Sequence, residues 1–331
     1  MDKMLKRAET YITNSYNSKI IPNSIDDSGI YRFPIEEYKN PLLISNLTSI
    51  KDKNLIAIEF LKNQTIKYEF DPNFNIGVDL FNRAFLEMIC KGAKPLFLTI
   101  DYLFSKIHPS VLENILSGVS WSSNNECPTA SVNLSQISNM LPNEVYYLAC
   151  NMVGVVDQDD LIDGSKICSE DVIIGIPSSG LHLEGYSLVK HALLNTYNLN
   201  STFKEIDSTL GEVLLTPHKD YKNMISNLIS SYEVRSLIPI KDLGVYNSIK
   251  QTIPENLSFS LNWSSWEQQP IFKLIQERGS LSNEDMRNNF NLGIGLAIIV
   301  HKNNVESIIN WLKFNYNETA IVIGNVHEKN I

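Results

Sequence analysis

The stretch Asp171-Val-Ile-Ile-Gly-Ile-Pro-Ser-Ser-Gly-Leu-His-Leu-Glu-Gly-Tyr-Ser-Leu188 decides how this chain is read. A short apolar run, Val172 to Ile176, is closed by Pro177, Ser178 and Ser179. Gly180, a lone His182 and an apolar-periodic segment from Tyr186 follow. That order spells strand, tight turn and helix, with a histidine held in the turn. A turn of this kind presents backbone N–H groups at a helix start, where an anion binds. Ser179 suits an ordinary helix cap equally well.

Around that stretch lie 331 residues, enough for one large or two medium domains. Hydrophobic content of 43% with 20% charged residues fits a globular protein. The net charge of −9 argues against a nucleic-acid surface. No apolar run approaches the roughly 20 residues of a membrane span. The start, Met1-Asp-Lys-Met-Leu-Lys-Arg7, leads into polar sequence rather than a secretory core, so a cytoplasmic protein is expected. Cys90, Cys127, Cys150 and Cys168 lack metal-ligand spacing and read as small buried hydrophobes in a reducing compartment. The 15 glycines fall below the usual share of about 7%.

In chain order, Lys3 to Tyr16 reads as a helix, followed by an irregular segment through Asp26-Asp27-Ser28-Gly29. Pro41 to Ser45 reads as a short buried strand, and Leu55–Phe60 and Gln64–Phe70 as two more. Asp71-Pro-Asn-Phe-Asn75 reads as a turn. Gly77-Val-Asp-Leu80 then opens a helix to about Lys91, with Asp79 suited to cap it. Leu96–Tyr102 and Val145–Val156 are strands, Pro109–Trp121 is an amphipathic helix, and 127–140 is ambiguous. The acidic, turn-like Asp157–Lys166 is the candidate boundary, giving an extension over 1–40 and domains over 41–160 and 167–331. In the second half, helices are expected over Tyr186–Thr196, from Leu215-Thr-Pro217 to Ser230, and over Pro270–Arg278, Asn283–Phe290 and Val305–Tyr316. Strands are expected over Gly295–His301 and Ala320–Gly324, with irregular sequence from Ser230 to Phe259.

Several stretches occur together: Gly77-Val-Asp-Leu80, Lys91-Gly-Ala-Lys-Pro-Leu-Phe97, Asp101-Tyr102, Val153-Gly-Val-Val156 and Ile162-Asp-Gly-Ser-Lys166. Ser178-Ser-Gly180, His182, Gly185-Tyr-Ser-Leu188, Leu215-Thr-Pro217 and Tyr221 continue the set. Pro270-Ile-Phe-Lys-Leu-Ile-Gln276, Gly279, Glu284, Met286 and Phe290-Asn-Leu-Gly-Ile-Gly295 complete it. As an ordered set they resemble the phosphoribosylformylglycinamidine cyclo-ligases, the aminoimidazole ribonucleotide synthetases of purine synthesis. The resemblance implies a mixed α/β (α+β), two-domain synthetase-like fold whose N-terminal sheet pairs across a homodimer. It implies ATP-dependent closure of the imidazole ring of formylglycinamidine ribonucleotide, with ATP and Mg²⁺ as cofactors. His182 is then a catalytic contact. Lys53, Ser178, Ser179, Gly180, Gly185 and Tyr186 are nucleotide or phosphate contacts, and Glu87 and Asp101 metal contacts.

The chain departs from that family's pattern in its glycine-rich and acidic loops. Where the family carries Thr-Asp-Gly-Val-Gly-Thr-Lys, this chain has Leu47-Thr-Ser-Ile-Lys-Asp-Lys53, keeping only the lysine. An expected Asn-Asp pair reads Leu86-Glu87. The family's Gly-Gly-Glu-Thr-Ala-Glu-Met-Pro-Gly becomes Ser131-Val-Asn-Leu-Ser-Gln-Ile-Ser-Asn139, turning both glutamates into the amides Asn133 and Gln136. An amide brings no charge and is no general base near neutral pH. Ile-Thr-Gly-Gly-Gly becomes Ile240-Lys-Asp-Leu-Gly244. Side chains at Lys51, Val132 and Leu243 fill space where backbone amides would approach phosphate.

The alternative is therefore a catalytically inactive homologue, a structural or regulatory subunit that takes no cofactor and has a heteromeric partner. Each site residue has an ordinary reading beside the functional one: a turn histidine for His182, a cap for Asp79, solvated charges for Asp101 and Lys53. Trp263 and Trp266 read as packing, and His218, Lys219 and Lys222 as a small basic spot interrupted by Asp220.

Overall fold

In the computed structural model, residues 2–22, 28–62 and 71–329 are described. They form two compact units, Met1–Met88 with Ala93–Asp160, and Ile89–Gly92 with Leu161–Ile331. Among the described residues no helix is long and apolar enough to cross a membrane.

The first unit contains α1 (Asp2–Asn14), a two-residue ladder of β1 (Ile20–Ile21) and β2 (Ile30–Tyr31), and β3 (Pro41–Ser49). It continues with α2 (Lys53–Lys62), α3 (Pro72–Ile89), β4 (Lys94–Phe104), α4 (Pro109–Ser123), β5 (Thr129–Gln136) and β6 (Tyr146–Asp157). Its sheet runs β3-β6-β4-β5, antiparallel except for the parallel β4–β5 pair. Period-two alternation splits β4 cleanly. Leu96, Leu98, Ile100, Tyr102 and Phe104 are buried, while Phe97, Thr99, Asp101 and Leu103 lie on the more open face. Helices α3 and α4 meet backbone to backbone: a Cβ on Gly77 would sit 2.0 Å from the Ile115 carbonyl oxygen, and one on Gly118 2.0 Å from that of Phe74.

Four expectations for this half need correction. Leu55–Phe60 is not a strand but the body of α2, where Ile56, Ala57 and Phe60 are buried at helical spacing. The β-branched isoleucines imitate a strand, and tertiary packing overrides them. Gln64–Phe70 lies outside the described residues. The Asp71–Asn75 turn is in fact the start of α3: the Asp71 carboxylate accepts from the Asn73 N–H at 2.8 Å, so the helix begins a turn earlier than Gly77. Asp79 is consequently mid-helix and caps nothing. Pro41–Ser45 extends into a nine-residue edge strand whose Leu43 and Leu47 are 66% and 75% exposed, rather than a buried one. The ambiguous segment after Cys127 contains β5.

The second unit contains β7 (Val172–Pro177), α5 (Tyr186–Val189) running on as a π-turn over Lys190–Leu194, α6 (Leu210–Leu214), α7 (Lys222–Ser231) and β8 (Ser236–Pro239). Then come α8 (Gly244–Lys250), β9 (Leu257–Leu261), α9 (Pro270–Gly279), α10 (Asn283–Asn289), β10 (Ile294–Val300), α11 (Val305–Tyr316) and β11 (Ile321–Glu328). The sheet order is β8-β10-β7-β11-β9, antiparallel throughout. Every residue of β10 is buried, as an apolar run covered on both faces must be. Ile173, Ile238, Val245, Ile249, Ile299 and Ile323 share one core cluster. Capping boxes start α6 (Thr209 with Glu212) and α10 (Ser282 with Asp285).

Here too the structure departs from expectation. Residues 230–259 are not irregular but hold β8, α8 and the start of β9. The stretch Leu215–Pro217 starts no helix; α7 begins at Lys222. Cys90, Cys127 and Cys150 are buried, but Cys168 is exposed.

Candidate functional site

The turn between β7 and α5 is tied down by its own side chains. The Ser178 N–H donates to the Gly293 carbonyl at 2.8 Å, and the Ser178 hydroxyl lies 2.9 Å from the Gly180 carbonyl. The Ser179 hydroxyl donates to the Pro217 carbonyl at 2.6 Å. The Ser179 N–H donates to Nε2 of His182 at 3.2 Å, which leaves the ring proton on Nδ1. His182 adopts a left-handed backbone, φ 59°, and is buried with its ring stacked 3.9 Å from that of His218. The Tyr221 hydroxyl donates to the Pro177 carbonyl at 2.9 Å and closes the far side. Burial holds that phenol well above its ordinary 10.0.

Gly180 has φ 149° and open space beside its Cα, since a Cβ there would meet nothing within 4 Å. Gly185 has a different reason to be glycine: a Cβ would sit 2.1 Å from the Phe290 ring. The Tyr186 hydroxyl donates to the Leu214 carbonyl at 2.5 Å. Ser178, Ser179, Gly180, His182, Gly185 and Tyr186 are therefore gathered in one turn, with their polar atoms largely engaged in holding its shape.

Two residues central to that shape escaped sequence reasoning. Asn291, fully buried, donates to the Gly180 carbonyl at 2.8 Å and accepts from the Gly293 N–H at 2.9 Å. Gln269 donates to the Ser178 carbonyl at 2.7 Å. Asn291 sits inside the quoted Phe290–Gly295 block, and a polar residue between two large apolar ones just before a glycine was the available signal. The basic spot is not one: Lys219 pairs with Glu318 at 2.6 Å and Lys222 with Asp220 at 2.8 Å.

The other predicted residues lie in the first unit. Lys53 opens α2 and is fully buried, its ammonium 2.8 Å from the equally buried Asp79 carboxylate. Burial pulls the Lys53 amine below its ordinary 10.5, and Asp79 works against that shift. Glu87 is not open either: the Arg83 guanidinium meets it at 2.7 Å, one turn away on α3. Asp101 lies mid-strand on the open face of β4, accepting from the Asn133 amide at 2.7 Å. Gln136 donates to Ser138. The i, i+4 spacing of Arg83 and Glu87 was legible; the Lys53–Asp79 pair, 26 residues apart, was not.

These residues do not fit a nucleotide-bound Mg²⁺. That ion takes carboxylate and phosphate oxygens in octahedral array, and here Glu87 already holds the Arg83 guanidinium while Asp101, the other expected metal contact, accepts from the Asn133 amide on the neighbouring strand. The amides at 133 and 136 supply no compensating charge. Among the described residues no group of three or more His, Cys, Asp or Glu is arranged to hold a metal ion.

Residues 169–331 match the family described as AIR synthase related protein, C-terminal domain. The chain is 30% identical over 328 residues to a phosphoribosylformylglycinamidine cyclo-ligase of Alkaliphilus oremlandii, covering 97% of this chain and 92% of that one. A protein of the same description from Bacillus cereus is 34% identical over 297 residues, covering 88% and 82%. Among solved structures, a thiamine-monophosphate kinase from Stenotrophomonas maltophilia superposes with a TM-score of 0.66 at 14% identity, over 99% of this chain and 94% of that one. At that identity the likeness is one of fold.

Proposed function

The chain belongs to the phosphoribosylformylglycinamidine cyclo-ligase family, and we propose that it is a member that has kept the fold without ATP-dependent ring closure, serving as a structural or regulatory subunit in a homodimer. The observation that carries this reading is the Lys53–Asp79 pair. The lysine that the family pattern offers to phosphate is buried at zero exposure against a carboxylate. Releasing it would break an ion pair both of whose side chains are fully buried, at a cost of about 3–5 kcal/mol. A lysine free to meet phosphate needs no such release. The segment aligned with the family's nucleotide loop here forms the end of β3, a short turn through Lys51 and Asp52, and the start of α2.

The second reading is an active cyclo-ligase in which His182 and the Ser178–Tyr186 turn contact the ribonucleotide. It is supported by the retained turn and by 30% identity across 97% of the chain. One assay separates the two. Purified protein is mixed with formylglycinamidine ribonucleotide, ATP and Mg²⁺, and ADP and imidazole product are followed. The non-catalytic reading expects neither product and no calorimetric heat with millimolar Mg-ATP. Turnover of about 1 per second or faster, a normal enzymatic rate, would overturn it.

A further inference from the structure

A cavity of about 300 Å³ opens in the first unit, among α2, the start of α3, the β4–α4 connection and the start of β6. That volume lies at the small end of ligand pockets and suits a single ring with a short substituent. Ile58, Leu61, Ile107 and Val111 give it apolar walls. Asn73, 2% exposed, and Tyr146, 1% exposed, form its buried polar floor. These residues belong neither to the Ser178–Tyr186 turn nor to the positions matched to nucleotide and metal.

Asn73 is held in one orientation from two sides. Its backbone N–H donates to the Asp71 carboxylate at 2.8 Å, and that carboxylate also accepts from the Asn114 amide at 2.6 Å, tying the start of α3 to α4. The Tyr146 hydroxyl donates to Asn73 Oδ1 at 3.1 Å. Asn73 Nδ2 makes no hydrogen bond among the described residues and is not sealed in the core, so it is left facing the cavity. A buried amide donor is costly to leave unmet, and an oxygen acceptor satisfies it. The rim decides the charge of what enters. Lys62 and Glu144 neutralise each other there at 2.9 Å, and His108 Nδ1 lies 2.7 Å from the Ser110 hydroxyl. An ionised ligand would give up its hydration and gain no counter-ion.

We propose that this cavity is a binding site for a small, uncharged aromatic carbonyl compound, its oxygen accepting from Asn73 Nδ2. The apolar walls take the ring, and the pinned amide sets the direction from which the oxygen must arrive. The site goes beyond the non-catalytic reading and does not depend on it, since it uses no residue of the histidine turn and no nucleotide.

The test titrates acetophenone, a ring bearing a carbonyl, into the isotope-labelled full chain and follows amide resonances by NMR. Saturable shifts are expected at the Asn73 side-chain amide and at the backbone amides of Ile107 and Val111, with a Kd of about 1 mM or tighter. Asn73→Leu removes the donor at similar volume and should weaken binding about tenfold. Asn73→Asp keeps an acceptor for Tyr146 without the donor and should weaken binding too, so either variant serves once circular dichroism shows it folded. Ile107→Trp, on the connection before α4, fills the cavity and should abolish binding. No saturable shift up to about 10 mM overturns the proposal. Binding that survives Ile107→Trp overturns it as well, because the ligand then sits elsewhere. An unchanged Kd in a folded Asn73 variant does the same, because the carbonyl then has another donor or none. Turnover is read separately in the product assay, so the two readings fail independently.

Discussion

At single residues, the low glycine content and the glycines that survive have one physical explanation. Some of those retained are held by sterics, a Cβ on Gly244 lying 1.8 Å from the Arg287 carbonyl oxygen and one on Gly185 2.1 Å from the Phe290 ring, while Gly180 and Gly293 are held by backbone angles of φ 149° and 95°. Lys51, in the rewritten loop, still carries a left-handed φ of 56°, a conformation that costs a side chain about 1–2 kcal/mol. Gly295 gives the sharpest test of the histidine turn. A Cβ there would lie 2.0 Å from the Tyr221 hydroxyl and 2.7 Å from Cε1 of His182, both in buried side chains. Gly295→Ala is expected to cost about 1–3 kcal/mol by overpacking. Tyr221→Phe alone forfeits the bond to Pro177, worth about 1 kcal/mol. Because the phenol oxygen is the nearest obstacle, the double variant should lose clearly less than the sum in urea titrations. Strict additivity would show that the turn does not pack as described.

Among elements, β3 marks the point where local sequence stops determining structure. The apolar run at Pro41–Ser45 announced a strand, and that much was legible; its length and exposure were not. Edge position is set by which strand pairs with which, and nothing local encodes that β3 ends the sheet with Leu43 and Leu47 outward. The same limit hid the Lys53–Asp79 contact. By contrast the β7 turn, the β10 run and the α9 to α11 helices were legible because local periodicity and punctuation already determine them. Residues 230–259 were missed because short strands and a seven-residue helix carry too few periods to register. The outward leucines, with Tyr147 at 44% exposure, are the apolar surface on which the proposed homodimer would pair. Leu43→Asp with Leu47→Asp should convert a dimer to a monomer in sedimentation while leaving circular dichroism unchanged. A wild type that sediments as a 37.5 kDa monomer at micromolar concentration removes the homodimer from the proposal.

Across the whole molecule, the buried ionisable groups fix how stability responds to alkali. Burial holds the phenols of Tyr102, Tyr146 and Tyr221 above their ordinary 10.0, and the thiols of Cys127 and Cys150 above 9.0. For each, the folded pKa exceeds the unfolded one, so the unfolded chain releases its proton first as pH rises. Over that window the unfolded state binds fewer protons and unfolding gains with pH. The contribution is complete below the unfolded value and is lost as pH climbs toward the folded one. Lys53 runs the other way: its folded pKa is lowered, so its burial penalty is relieved between that lowered value and 10.5. It is one group against five. The urea midpoint should therefore stay level to about pH 8 and then fall, with several kcal/mol gone by about pH 11. The thiols, which titrate first, set the onset, and the phenols steepen the slope above about pH 10. Tyr146→Phe removes one of these groups and should flatten the upper limb without moving the onset. A midpoint that holds level to pH 11 would mean these hydroxyls and thiols ionise as readily in the folded chain as in the unfolded one, and the packing around β4 and β6 that buries four of them would be wrong.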